Sequence, residues 1–166
     1  MSATTNPGEA SLELTDSLRT AIDHAFSDAR ECIEQDGGMV PFSVICTSDG
    51  FVSSEHAGAD VDAVYESVRA LLAREMPESY VFCYDGYVEL DTARAEAIIA
   101  EVAKRGDDAA YLLAEPYEVR EDGSHSFTEG YASAGEAEPL YPVGTKPIVS
   151  GLVQLAAERR AATDGE

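Results

Sequence analysis

Near residue 38 the hydrophobic period of this chain changes from that of a helix to that of a strand, and few architectures accommodate both sides of the change. Before it, Leu14, Leu18, Ala21, Ile22, Ala25, Phe26, Ala29 and Ile33 recur at helical spacing, with charged residues between them. Gly37-Gly38 closes that segment as helix C-caps do. After it, Val40, Phe42, Val44 and Cys46 alternate with Pro41, Ser43, Ile45 and Thr47, the period of a strand with one apolar face. Asp49-Gly50 follows, a strong hairpin signal because a type I′ turn needs positive φ at both centres, and it makes Phe51 to about His56 the return strand. Pro41 belongs at the strand start or on an edge, since it has no N–H to give a ladder. An amphipathic helix beside a hairpin implies an antiparallel sheet, not a doubly wound parallel one.

Further along, Asp60 is placed to cap a second helix whose Val61, Val64, Tyr65, Val68, Leu71 and Leu72 share a face and which Pro77 ends near Met76. Tyr80 to Tyr84 is apolar on both alternations, reads as a central strand and continues through Val88, with Gly86 marking a bulge. Residues 91–106 fit two structures. Ala95, Ile98, Ile99 and Val102 suit a capped helix, and Ala97 to Ala103 equally suits a short strand. Ala109 to Val119 reads as a strand, Asp122-Gly123 as a turn, Ser126 to Ala132 as a weaker strand and 133–145 as a loop. Pro147 opens a final helix through Leu155. The expected fold is α+β: a mainly antiparallel sheet of about five strands with three flanking helices, 14–36, 60–76 and 147–160. Residues 1–10 are expected as a flexible tail, 11–160 as a single domain and 161–166 as a frayed tail.

The succession Gly38-Met39-Val40-Pro41-Phe42, then Tyr84-Asp85-Gly86-Tyr87-Val88, then Ala97-Ile98-Ile99, then Glu115-Pro116-Tyr117 resembles a pattern of small uncharacterised bacterial α+β proteins. The resemblance covers about residues 11–120 and implies no activity. It implies that the Ala-Ile-Ile segment is a sheet strand, which tips 91–106 away from helix.

Charge narrows the function classes. The 166 residues carry 32 acids against 11 bases, a net −21, so the Lys/Arg footprint demanded by nucleic-acid phosphates or anionic lipid is missing. No apolar run approaches a membrane span, and residues 1–7 read as no signal peptide, so a cytoplasmic location is expected. The acidity suits either a cationic partner or a saline cytoplasm. Cys32, Cys46 and Cys83 are isolated, with no paired spacing, so neither a disulfide framework nor a structural zinc is expected. No phosphate-binding loop is present, Asp107-Asp108 lacks the rest of a calcium loop, and no metal or cofactor is expected.

Two site readings follow. From Asp107 to Leu140 there are nine acids and one base, interleaved with aromatics. This points to a non-enzymatic binding protein, immunity- or chaperone-like in size and charge, that presents Tyr111, Glu115, Tyr117, Glu118, Glu121, Phe127 and Tyr131 to a basic protein partner. The alternative is a small-ligand domain or enzyme with a carboxylate site near the central strand. Asp85 and Glu89, four apart, face one side of a strand and are candidates for acid and base, with His56 or Tyr84 beside them.

Overall fold

The computed structural model describes residues 15–89 and 93–145. Helix α1 (Asp16–Asp36) leads into strands β1 (Phe42–Thr47) and β2 (Gly50–Glu55), helix α2 (Val61–Glu75), and strands β3 (Ser79–Glu89), β4 (Arg94–Lys104), β5 (Ala110–Val119), β6 (His125–Phe127) and β7 (Ala132–Ala137). The class is α+β. One sheet runs β2-β1-β3-β4-β5, with β6 and β7 sharing the outer edge of β5, and every pairing is antiparallel. The described residues thus hold seven strands and two helices. The helix expected at 147–160 and both expected tails lie outside the described residues.

The two helices take opposite faces. Thr15 caps α1, its Oγ1 accepting from Leu18 N at 3.1 Å, and Gly37 ends it in the left-handed region at φ 79° with its N–H on Ile33 O. The stripe from Leu18 to Ile33 buries against Phe42, Val44, Cys46, Val81, Cys83, Ile98, Ala100 and Val102. On the other face Val68, Leu71 and Leu72 of α2 cover Ile45, Tyr80 and Phe82, and Leu140 and Tyr141 extend that cover beyond Ala103. Asp60 caps α2 through Ala63 N. Met76 ends it at φ 43°, a conformation held by the Arg105 guanidinium, which donates to the Met76 and Pro77 carbonyls.

Several local expectations change. The hairpin turn is Ser48-Asp49, one residue early: Thr47 pairs with Gly50, and of these turn residues only Gly50 has positive φ. Thr47 Oγ1 accepts from Asp49 N and closes the turn by a side chain in place of the type I′ backbone. Gly86 sits in unbroken register opposite Ala97, and the irregularity lies at Leu112/Leu113. Residues 94–104 are strand. The seven residues from Ala97 to Ala103 are buried on both faces, which is why a helical stripe and a strand fitted them equally. Ala132–Ala137 is β7, although the loop was expected from residue 133. It has no β-branched residue and no alternation, and it is ordered by the edge β5 offers. Pro116 stands where that edge passes from β7 to β6, and its carbonyl accepts from Thr128 N, so its missing N–H interrupts no β4 pairing.

The sheet outruns its helices. In β3 the first five residues are all buried, and from Tyr84 burial alternates to the end of the strand. That projecting end positions the site.

Candidate functional site

Three side chains meet where α2 stops covering the sheet. Glu101, in the middle of β4 and 4% exposed, accepts through Oε2 from the phenols of Tyr65 on α2 and Tyr84 on β3, the latter at 2.8 Å. Burial first, then the Glu101 carboxylate, raises both phenols, Tyr65 to about 12 and Tyr84 further. Both stay protonated at neutral pH and act only as donors to the carboxylate. The Phe82 ring bridges them, 5.2 Å from Tyr65 and 5.1 Å from Tyr84.

Two open grooves share Tyr84. One, of about 600 Å³, runs between the start of α2 and the edge of β3, with Pro41, Val61, Val64, Tyr65 and Phe82 in its lining and Asp60 and Asp85 among its charges. The other, of about 700 Å³, lies over the bare sheet beyond α2, floored by Gly86, Val88, Ile99, Leu112 and Ala114. Gly86 keeps its floor open, because a Cβ there would meet Ile99 Cγ1 at 3.1 Å. On the opposite face a smaller cleft of about 320 Å³ holds Arg30 and Glu115.

The residues singled out from sequence fall into separate places. Asp85 and Glu89 are exposed on the α1 side of the projecting end; Asp85 accepts from Tyr117 Oη at 2.8 Å and lines the first groove, whereas Glu89 lines the second. His56 is 3% exposed and lies between Ser43 Oγ at 2.7 Å and Ser67 Oγ at 2.9 Å. Burial lowers its pKa, so the ring is neutral and ties the chain after β2 to both β1 and α2. Ser43 is fully buried, so a Ser–His pairing here reaches no substrate.

Of the interleaved set, Glu115 is 1% exposed and bridged to Arg30 at 2.7 Å, and its carboxyl is raised by burial against the opposing pull of Arg30. Tyr117 is buried, Tyr131 stacks on Phe26 at 4.6 Å and donates to Asp23, and Tyr111 and Phe127 pack half-buried against the α1 core. Glu118 and Glu121 are exposed. His125 stacks beside Tyr117 and Phe127. The three cysteines are free thiols. Among the described residues no group of three or more His, Cys, Asp or Glu is placed to hold a metal, and no helix is long and apolar enough to cross a membrane.

Glu101, Tyr65 and Phe82 were not singled out from sequence. The usable signal was a lone carboxylate inside the apolar run Ala97–Ala103, which implies a buried acid with donors brought from other elements. No family model, curated protein or solved structure matches this chain.

Proposed function

We propose that this chain is a non-enzymatic binding protein that engages a basic protein partner at the projecting end of its sheet, in the cytoplasm. One observation carries the reading. That end combines exposed acids, Asp85, Glu89 and Glu96, with an aromatic-lined groove carrying Asp60, which is the chemistry that receives Lys and Arg side chains. The surface already holds one guanidinium: Arg94 lies 3.6 Å over the Tyr87 ring. Free thiols at Cys32, Cys46 and Cys83 suit a reducing compartment.

The test is a pull-down from native lysate with the wild-type chain and a Glu89→Lys/Glu96→Lys variant. The expected result is a basic protein that the wild type holds in dilute buffer, that is released by ~0.3 M salt and that the variant does not hold. Capture that survives salt, or that the variant retains in full, overturns the reading.

A second reading, a small-ligand domain, draws on the two grooves that share Tyr84. Their volumes fall in the ~300–1,000 Å³ range of small-molecule sites. A thermal-shift screen of small organic cations separates the readings. Stabilisation by such a compound, with none from basic peptides, favours the ligand domain.

A further inference from the structure

The β1–β3 ladder ends at Phe42 opposite Cys83, while the β3–β4 ladder continues to Glu89 opposite Arg94. The last residues of β3 therefore have a neighbour on one side only among the described residues. Which backbone groups face the open side follows from two bonds. Thr128 N donates to Pro116 O at 3.0 Å in continuation of the β5–β6 ladder, which carried through the β4–β5 and β3–β4 registers fixes the parity of β3, and His56 N donates to Pro41 O at 2.8 Å in continuation of β1–β2. In an antiparallel ladder the N–H and C=O of one residue point the same way and successive residues alternate. Even-numbered residues of β3 thus bond to β4, and odd-numbered ones turn toward β1. Past Phe42 the strand β1 is gone, so Asp85, Tyr87 and Glu89 direct their N–H and C=O groups to an open edge.

We infer that this edge, residues 85–89 of β3, is a strand-addition site for an extended segment of a protein partner in which basic and apolar residues alternate. The inference rests on the basic-partner reading above and specifies how that partner binds. Its backbone would complete the ladder that β1 leaves off. Side chains opposite Asp85 and Glu89 lie on the same face as those carboxylates, where Lys or Arg is favoured. The intervening side chains lie on the other face, beside Tyr84, Gly86 and Val88 and next to the aromatic groove, where apolar groups are favoured. Charge complementarity selects this occupant over a second copy of the chain, because self-pairing sets Asp85 and Glu89 against one another.

The probe is a synthetic peptide of alternating lysine and valine, titrated against the full chain by calorimetry and by residue-resolved amide hydrogen exchange. Three comparisons accompany it: the same residues in two blocks, the alternating peptide N-methylated at every second residue, and the protein variants Tyr87→Pro and Glu89→Lys. The alternating peptide is expected to bind at least about tenfold more tightly than the blocked or N-methylated peptides. Tyr87→Pro, which removes an edge N–H without touching the β4 ladder, is expected to weaken it similarly. The Tyr87 amide, fast in the free protein, should become protected, while Gly86 and Val88 are protected throughout. If all basic peptides bind equally and lose affinity with salt, the charge reading stands and strand addition falls. If none binds, both fall. A Tyr87 amide already protected in the free chain means that the chain's own residues cover the edge, which also overturns the inference.

Discussion

Replacing Arg30 by methionine removes the cation from a carboxylate that has almost no water. Glu115 is 1% exposed and its Oε1 lies 2.7 Å from Arg30 Nη1, whereas Arg30 is 35% exposed. Breaking a fully buried pair from one side typically costs ~3–5 kcal/mol. The outer half of this pair is solvated and a cleft of about 320 Å³ adjoins it, so about 2–3 kcal/mol is the expected loss at pH 7. At ~2–4 °C per kcal/mol for a chain of this size, the melting temperature should fall by roughly 4–12 °C. The pH dependence supplies an independent sign. Burial already raises the Glu115 carboxyl above its ordinary value of 4.5, and loss of Arg30 raises it further. Between that ordinary value and the raised one of the folded state, the folded state binds a proton that the unfolded state lacks, so acidification favours folding. The Arg30→Met deficit should therefore shrink as pH falls from 7 toward 5. Glu115→Gln added to Arg30→Met should recover most of it at pH 7. Urea denaturation of the wild type and these two variants at several pH values makes the measurement. A single-variant loss under ~0.5 kcal/mol, or a deficit that pH leaves unchanged, refutes the reasoning.

Ser67→Ala leaves Nδ1 of buried His56 without its partner and should cost about 1–3 kcal/mol in urea melts. Because burial lowers the His56 pKa, its contribution holds above the unfolded value of 6.5 and is lost as pH falls below it; His56→Phe should flatten that slope in an acid titration. Thr15→Ala and Asp60→Ala should each cost about 1 kcal/mol by removing a helix N-cap, read as helical signal against temperature. A thiol reagent should modify Cys32 first in the native protein, with Cys46 and Cys83 reacting only on unfolding, since burial raises both and leaves Cys83 inaccessible. With a net charge of −21, the melting temperature should rise with sodium chloride and level off by a few hundred millimolar, about where the Debye length becomes a few ångströms.

Elements whose partners lie nearby in sequence were legible. The α1 stripe needs only its own spacing, and Phe42, Val44 and Cys46 alternate as they face α1. Legibility failed where tertiary contact overrides local preference. Residues 94–104 are rich in alanine, as a helix would be, and are a strand because β3 and β5 pair with them on either edge. Ala132–Ala137 has little intrinsic preference for a strand and borrows the edge of β5. Asp49-Gly50 announced a hairpin correctly, but Thr47 supplies a side-chain acceptor that shifts the turn by one residue. The charge run from Asp107 to Leu140 carried no information about facing, because alternation along β5 turns Glu115 and Tyr117 inward and Glu118 outward. Of the site, Asp85 and Glu89 were visible as a pair on one face. Glu101 with Tyr65 and Tyr84 was not, because the cluster joins three elements and only the register of β3, β4 and α2 brings them together.

The claim that the acidity of the projecting sheet end serves recognition of a basic segment is tested most directly by the dissociation constant of the alternating lysine–valine peptide as a function of sodium chloride. The account predicts that log Kd rises steadily with log salt, by about a factor of ten between ~0.05 and ~0.3 M, and that the slope is reduced in Glu89→Lys. An affinity that salt leaves unchanged, or a slope that Glu89→Lys leaves intact, would contradict it.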